Sequence, residues 1–266
     1  MLSTIDWSRP WYDTVRPAAQ SLALERLSVI EALNQRAGAL QLLNHRGLPL
    51  GFVPQSALPA GMAYEEFIGA TGNVPTRDNL HDFFNALVWL TFPRIKQQLN
   101  ALQAAQIALS GVGKSRGPAR DAATIFDENA GLLVVRDSAA GHRLVALLRE
   151  HEWRAAFLEH RVQFGLDAEL WLFGHALMEK LVAPYKAITA HTRVVLADDA
   201  FFTLDAAARR SWIDVCVARQ LAHEGLSTAS FTPLQVLAIP GWWPQQDEAF
   251  YGDTTVFRPK RRPVAQ

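Results

Sequence analysis

Apolar side chains recur every three or four residues along most of the chain, which is the spacing of an amphipathic helix. In the segment 18–38, leucine and isoleucine keep this spacing up to Gly38, a residue suited to the position after a helix. A second run follows Asp78, a candidate N-cap, and we expect Pro93 to break or kink that helix after Phe92. The same pattern predicts further helices over 94–109, 118–126, 139–162, 168–182 and 204–225.

Short apolar runs bounded by turn residues predict strands instead. These runs are "DENAGLLVV", "TRVVLAD", "PLQVLAIPGWWPQ" and, as a hairpin or extended arm, "LQLLNHRGLPLGFVP". Because they do not alternate regularly with helices, the sequence predicts an α+β fold that is predominantly helical with a few short strands. We expect one globular domain over 1–258, with an irregular, aromatic-anchored N-terminal segment at 1–20 and a flexible basic tail at 259–266.

The helix that follows the candidate N-cap carries polar side chains among mostly apolar ones. On a helical wheel its broad apolar side consists of Phe83, Phe84, Ala86, Leu87, Val88 and Leu90. His81, Asp82 and Asn85 share the remaining arc with Trp89 and Phe92. Apolar bodies around a few polar groups are typical of a pocket wall. The alternative is a structural network, because Asp82 suits the first turn of a helix and Asn85 could bond a neighbouring loop.

A histidine and a carboxylate recur one turn apart in the helix predicted over 168–182. His175 and Glu179 share one face, with Trp171 beside them. At that spacing the two groups can share a proton or both reach a metal ion. A structural ion pair is the alternative.

Two carboxylates and an amide cluster where the helix 118–126 is predicted to end. Asp127, Glu128 and Asn129 precede Gly131 and therefore suit a helix-stop turn that needs no function. As a site, they would present Asp127 and Glu128 on a rigidly placed loop as candidate metal ligands.

Bulk composition restricts the class of protein but identifies no partner. Of the 266 residues, 49% are hydrophobic and 20% are charged, which provides a substantial core and excludes global disorder. Lys+Arg and Asp+Glu both number 26, so net charge argues against a nucleic-acid partner. The one cysteine, Cys216, excludes an intramolecular disulfide and a multi-cysteine metal cluster. Without a signal-peptide pattern or an apolar run of roughly 20 residues, we expect a cytoplasmic protein with no membrane partner.

Two short motifs suggest phosphate chemistry but match their patterns poorly. In "GVGKSRG", the position at which a phosphate-binding loop requires its first glycine is occupied by Ala108, and no strand precedes the loop. The pair His81-Asp82 suggests an HD-type metal phosphohydrolase, which needs a further histidine and a distant aspartate. His45 and Asp127 are the candidates, although His45 is predicted to lie in a turn.

Four motifs spread over about residues 60 to 258 resemble the proteobacterial DUF3025 family. They are "VPTRDNLHDFFNALVWLTFPRIKQQLN", "RGPARDAATIFDENAG", "FGHALMEKLVAPYKAITAH" and "IPGWWP…FYGDTTVFRP". The family is a domain of unknown function, so the resemblance implies one domain unit in a bacterial cytosolic protein. It implies no activity, substrate or catalytic residue.

The first functional hypothesis is a hydrolase-like enzyme that acts on a small anionic substrate, with a divalent metal as a candidate cofactor. Its catalytic candidates are His81, Asp82, Asn85, His175 and Glu179. Either histidine would act as base or metal ligand, and Asp127 and Glu128 are the carboxylate candidates for the metal. The substrate-binding candidates are Arg77, Trp89, Arg120 and Lys186.

The second hypothesis is a non-catalytic module that binds a small anionic ligand, a nucleic acid or a protein. The aromatic segment "PGWWPQ" and the tail "RPKRRP" favour it, although such a tail is also common as a solvated terminus. As a third hypothesis, the polar faces have only a structural role and hold the helices together. The sequence predicts no particular oligomeric state.

Overall fold

The computed structural model describes residues 2–110 and 117–260, and within them helices predominate over short strands. The helices are α1 (Arg16–Gln20), α2 (Val29–Ala39), α3 (Tyr64–Thr71), α4 (Leu80–Thr91), α5 (Pro93–Ser110), α6 (Gly117–Asn129), α7 (Ala139–Arg149), α8 (Gln163–Leu166), α9 (His175–Lys180), α10 (Asp199–Thr203), α11 (Ala206–Glu224) and α12 (Glu248–Tyr251). The strands are β1 (Gly51–Pro54), β2 (Asn73–Thr76), β3 (Ala130–Arg136), β4 (Ala168–Leu172), β5 (Thr189–Ala197) and β6 (Thr232–Gln235). This architecture confirms the predicted α+β, predominantly helical fold. Residues 111–116 of "GVGKSRG" and residues 261–266 of the predicted tail lie outside the described range.

A four-stranded mixed sheet with strand order β4-β3-β5-β6 lies at the centre of the fold. β3 pairs antiparallel with β4 and parallel with β5, while β6 pairs antiparallel with β5. Leu132 and Val134 of β3 point into a core shared with α4, α5 and α11, whereas Leu133 and Val135 point into a second core beneath α7 and the C-terminal segment. Burial on both faces explains why β3 reads in the sequence as an uninterrupted apolar run.

Helix α4 lies within the larger core. Every residue from Asp82 to Thr91 is buried. As predicted, the chain breaks at Pro93: α4 ends at Thr91, Phe92 forms its C-cap, and Pro93 begins α5. The core therefore holds the first turn of α4, with its polar side chains, in a fixed position.

Several other predicted elements are confirmed. The helices predicted over 94–109 and 204–225 correspond to α5 and α11, and the latter ends at Gly225 as expected. Two of the apolar runs form β3 and β5, whereas "PLQVLAIPGWWPQ" contributes only its first three residues to β6 and continues as a 3-10 helix, Val236–Ala238. The predicted hairpin or arm contains an antiparallel bridge between Leu43 and Pro49, and its second half, β1, pairs parallel with β2.

Two predicted helix boundaries in the N-terminal half are wrong. The segment 18–38 is not one helix, because Ser28 and Glu31 form a reciprocal capping box that starts α2 separately, and α2 then continues through Gly38. The N-cap of α4 is Asn79 rather than Asp78.

Three boundaries in the C-terminal half are also wrong. The segment 168–182 divides into strand β4 and the short helix α9, because the first half pairs with β3. Helix α6 extends past residue 126 to Asn129, so the acidic cluster lies on its last turn rather than on a loop. The helix predicted over 139–162 ends at Arg149 and is followed by a π-helical turn, Ala155–Glu159.

Among the described helices, none combines the length and the apolar composition that crossing a bilayer would require.

Candidate functional site

Two segments that are distant in sequence meet at one edge of the central sheet. Helix α6 ends at Asn129 and continues directly into β3, and β4 runs antiparallel to β3 so that Leu172 lies opposite Gly131. The chain that leaves β4 therefore returns to the point where α6 ends, and α9 begins there with His175. This topology places Glu128, in the last turn of α6, beside His175.

A glycine permits the close approach of these segments. A Cβ atom on Gly174 would lie 2.5 Å from the backbone nitrogen of Ala130 and 2.6 Å from backbone atoms of Asn129, closer than real Cβ atoms come. The backbone N–H of Gly174 instead donates to the carbonyl of Ala130 at 2.8 Å. The missing side chain thus sets where α9 begins and, with it, the position of His175.

The second histidine comes from the first turn of α4. The Asn79 side chain caps this helix by accepting a hydrogen bond from the backbone N–H of Asp82 at 2.8 Å. Helix α9 packs along α4, so His81 reaches Glu179 with 3.0 Å between its Nδ1 atom and the carboxylate Oε2. A carboxylate on Nδ1 orients the ring and directs Nε2 the other way.

The two histidines bring their Nε2 atoms together next to a carboxylate. The Nε2 atoms of His81 and His175 are 3.1 Å apart, and the ring planes are inclined at 78°. The carboxylate of Glu128 lies 4.0 Å from His81 Nε2 and 3.7 Å from His175 Nε2. Two nitrogens bound to one ion at about 2.1 Å are roughly 3.0–3.4 Å apart when the angle between them is near 90–110°. The observed nitrogen separation fits two ligands of a single ion.

Between two neutral imidazoles, hydrogen bonding leaves one of these nitrogens unsatisfied. If His81 donates its Nδ1 proton to Glu179, its Nε2 atom is unprotonated and must accept the Nε2 proton of His175. The Nδ1 atom of His175 is then also unprotonated, and it is buried without a hydrogen-bond partner. The backbone carbonyl of Asp127, which acts on the same ring, is an acceptor too.

A cation between the two Nε2 atoms would remove this conflict. Each Nδ1 atom could then carry a proton, one directed at Glu179 and the other available to the carbonyl of Asp127. A metal-bound histidine ordinarily donates its other ring N–H to such a carboxylate or carbonyl. The environment of both rings therefore matches that of metal ligands.

Burial keeps His175 neutral. Its side chain is buried, and burial lowers its pKa to about 4, with Lys96 and His81 acting in the same direction against Asp127. Burial also disfavours the charged form of Glu128 and so raises its pKa, an effect that His81 opposes. At neutral pH, His175 consequently presents an unprotonated nitrogen, which metal binding requires.

A buried lysine connects the acidic cluster to α4. The Nζ atom of Lys96 lies 2.6 Å from Asp127 Oδ1 and 2.9 Å from Asn85 Oδ1, and Asn85 in turn donates to the Tyr64 hydroxyl at 2.9 Å. Burial pushes the pKa of Asp127 upward, but Lys96 and both histidines outweigh it and hold that pKa below its usual range. Asp127 is therefore the partner of a buried cation and remains ionised.

Sequence reasoning missed both Lys96 and Tyr64. Lys96 lies four residues after Phe92 and three before Leu99, on a helix face whose other members are buried. A lysine at such a position needs a carboxylate partner in the core, and that signal could have identified it. Tyr64 begins α3, and we find no sequence pattern that would have singled it out.

Asp82 forms a two-pronged ion pair with Arg77. The guanidinium nitrogens lie 3.0 and 2.9 Å from the two carboxylate oxygens, and the backbone N–H of Arg77 donates to the same carboxylate at 2.6 Å. The Asp82 side chain is buried, whereas the Arg77 side chain is largely exposed. Asp82 thus fixes the segment that enters α4.

Three residues predicted to bind substrate lie elsewhere. Trp89 is buried in the core, with the Lys96 ammonium 5.2 Å from its ring centre. Arg120 is buried on α6 and is absent from the described lining of the cavity. Lys186 donates to Asp253 at 2.8 Å. Of the four predicted substrate-binding residues, only Arg77 reaches the site, and Asp82 neutralises it.

The predicted framing of the site by aromatic side chains is wrong. Phe92 is fully buried, like Trp89, because α4 is enclosed by the core. Trp171 lies on β4 and bonds Glu169 rather than standing beside His175 on a helix. His45 does not complete an HD-type pattern, because its Nδ1 atom lies 2.6 Å from Asn100 Oδ1 in a different cavity.

The groups that do converge surround one cavity of about 320 Å³. Its described lining includes Tyr64, Arg77, His81, Asp82, Asn85, Asp127, Glu128 and His175. The candidate residues of α4 and those of the acidic cluster therefore face the same space, together with His175 of α9. The volume is at the lower end of small-molecule pockets.

The chain matches a family model described as "Protein of unknown function (DUF3025)" over residues 50–261. No curated protein and no solved structure matches it significantly. The match spans every residue of the cavity and gives none of them a role.

Proposed function

The chain belongs to the DUF3025 family of proteins of unknown function, and from the geometry of its site we propose that it is a hydrolase with a single divalent metal ion. The ligands would be the Nε2 atoms of His81 and His175 and the carboxylate of Glu128. Their ligand atoms lie within 4.8 Å of one another.

One observation carries the proposal: the Nε2 atoms of two histidines face each other at 3.1 Å while Glu179 holds the opposite nitrogen of His81. Neutral imidazoles make only one hydrogen bond across this gap and leave His175 Nδ1 unsatisfied. A divalent cation bound by both Nε2 atoms would leave each Nδ1 atom free to carry a proton and would offset the carboxylates of Glu128 and Glu179. This donor set has both the chemistry and the spacing of a metal centre.

Hydrolysis is one reaction that two histidines and one carboxylate commonly support. Three protein ligands leave coordination positions open, and a divalent ion there would activate water and polarise a substrate oxygen. The neighbouring cavity admits a small substrate or the end of a larger one.

Metal titration of the purified protein tests the proposal. We expect about one equivalent of Zn²⁺ or a similar divalent ion per chain, and a thermal stabilisation of roughly 3 kcal/mol at a hundredfold excess over the dissociation constant. His81→Ala and Glu128→Gln should weaken binding by at least the roughly 10–100-fold seen when a ligand loses a supporting hydrogen bond. Hydrolysis of a panel of ester, amide and phosphoester substrates should require the bound metal and return when it is restored.

The matched control is His223→Ala, which removes an exposed histidine from the end of α11. It should bind the metal as the unaltered protein does. Equal metal affinity in the unaltered protein, His81→Ala and Glu128→Gln would overturn the metal centre. Metal binding without hydrolysis of any substrate in the panel would favour the alternative of a ligand-binding module.

A further inference from the structure

A chain of hydrogen bonds with a fixed direction runs from the acidic cluster to the cavity wall. The ammonium group of Lys96 has only donors, so the Asn85 atom 2.9 Å from it must be the amide oxygen. The Asn85 amide nitrogen therefore faces Tyr64 and donates to its hydroxyl oxygen at 2.9 Å. The charge of Lys96 thus decides which way the Asn85 amide points.

The same direction leaves the hydroxyl proton of Tyr64 uncommitted. The oxygen of Tyr64 already accepts from Asn85, and no described residue accepts a hydrogen bond from its hydroxyl. Burial, with the negative charges of Asp82 and Asp127, raises the pKa of Tyr64, so the hydroxyl stays protonated. Tyr64 lines the same cavity as His81 and His175.

The cationic side chains around the cavity are already paired. Lys96 pairs with Asp127, and Arg77 pairs with Asp82. A divalent ion at the histidines would be balanced by Glu128 and Glu179. No described lining residue supplies an unpaired cation for a doubly charged group such as a phosphate.

We infer that Tyr64 is a substrate-binding residue, that its hydroxyl donates to the carbonyl oxygen of the scissile group, and that this group is an uncharged carboxamide or ester. The inference rests on the proposed metal-dependent hydrolysis. Water adds to the carbonyl carbon while the carbonyl electron pair moves onto the oxygen held by Tyr64. The electron pair then re-forms the carbonyl as the carbon–nitrogen or carbon–oxygen bond breaks. One proton of the water passes to the leaving amine or alcohol, and the other stays with the carboxylic acid product.

The test compares two probes on the zinc-loaded protein by calorimetric titration. Acetohydroxamate carries a carbonyl oxygen and binds metal ions, whereas inorganic phosphate binds metal ions without a carbonyl group. We expect acetohydroxamate to bind more tightly than phosphate, and Tyr64→Phe to weaken acetohydroxamate about tenfold through loss of one hydrogen bond. Phosphate affinity should change little. Tyr185→Phe, which alters an exposed tyrosine, is the matched control and should change neither.

Zinc affinity of the same proteins distinguishes the role of Tyr64 from the metal centre itself. If zinc binds equally to the unaltered protein and Tyr64→Phe, but acetohydroxamate affinity is also equal, the role of Tyr64 is overturned and the metal centre stands. Tighter binding of phosphate than of acetohydroxamate overturns the substrate class. If the unaltered protein binds no zinc, the proposed function fails and the inference fails with it.

Discussion

Charge states in this protein follow from burial and immediate partners. Lys96 and Asp127 form an ion pair with 2.6 Å between them, and the Lys96 side chain is 5% exposed. Taking either charge out of water is costly, and the pair persists because each group compensates the other. His175 has no carboxylate on its Nδ1 atom and is kept neutral instead. The two responses to burial produce an ionised pair, Lys96 and Asp127, and a neutral imidazole, His175.

Replacing Lys96 with methionine should expose the cost of an unpaired buried charge. Lys96→Met leaves Asp127 without its main counter-charge, and we expect the free energy of unfolding to fall by about 3–5 kcal/mol. Adding Asp127→Asn should recover much of this loss, because the buried charge is then removed. Urea denaturation of both single variants and the double variant measures the coupling. Purely additive losses would show that the two residues do not act as a pair.

At the scale of elements, short connections place the site. Helix α6 passes into β3 without a loop, and only Phe173 and Gly174 separate β4 from α9. The antiparallel pairing of β3 with β4 then brings the end of one helix to the start of another. Because sheet hydrogen bonds fix this register, the positions of Glu128 and His175 depend on the sheet as much as on their own helices.

Gly174→Ala should disturb this junction. The added Cβ atom would meet backbone atoms at 2.5–2.6 Å, and backbone cannot move aside as a flexible side chain can. We expect a loss of about 1–3 kcal/mol in unfolding free energy and weaker metal binding, because His175 must shift. Gly38→Ala provides the opposite control, since Gly38 lies within α2 with no atom within 4 Å of an added Cβ. It should stabilise the protein by roughly 0.5–1 kcal/mol and leave metal affinity unchanged. A Gly174→Ala variant as stable as the unaltered protein would show that the close approach at Gly174 does not require a glycine.

Across the whole molecule, a segment outside the family match supports the two histidine-bearing helices. Residues 2–49 precede the matched region 50–261, yet Tyr12 is only 1% exposed. Its ring stacks on Phe84 of α4 with 5.6 Å between centres, and its hydroxyl donates to the carbonyl of Met178 in α9 at 3.2 Å. We therefore propose that residues 1–258 unfold as one cooperative unit that includes the aromatic N-terminal segment.

Variants of Tyr12 test whether the N-terminal segment unfolds together with the site. Tyr12→Ala should lower the free energy of unfolding by about 3–5 kcal/mol and weaken metal binding, because α4 and α9 lose a shared contact. Tyr12→Phe keeps the stacked ring and should cost only about 1 kcal/mol. Calorimetry should show a single unfolding transition for the unaltered protein. A Tyr12→Ala variant with unchanged metal affinity would show that the N-terminal segment does not support the site.

Much of the fold could be predicted from local pattern. Helical spacing identified α5 and α11, turn-bounded apolar runs identified β3 and β5, and Pro93 marked the end of α4. These features follow from backbone geometry and from which faces are buried, and a few neighbouring residues suffice to encode them. Predictions failed where contact with a distant segment determines the secondary structure. The residues "ELWLF" read as helix because their strand character depends on pairing with β3.

The sequence by itself determined the fold class and the kinds of polar residue available to a site. It did not determine which of them meet. Trp89 and Asn85 occupied the same arc of a helical wheel, but the core buried the first beside Lys96 and turned the second toward Tyr64. Lys186 was available as a cation, but Asp253 engages it elsewhere. The 3.1 Å contact between His81 and His175 arises from antiparallel strand pairing, a glycine at a close approach and the packing of α9 on α4. Each of these joins residues far apart in the chain, so only the tertiary structure could bring the two histidines together.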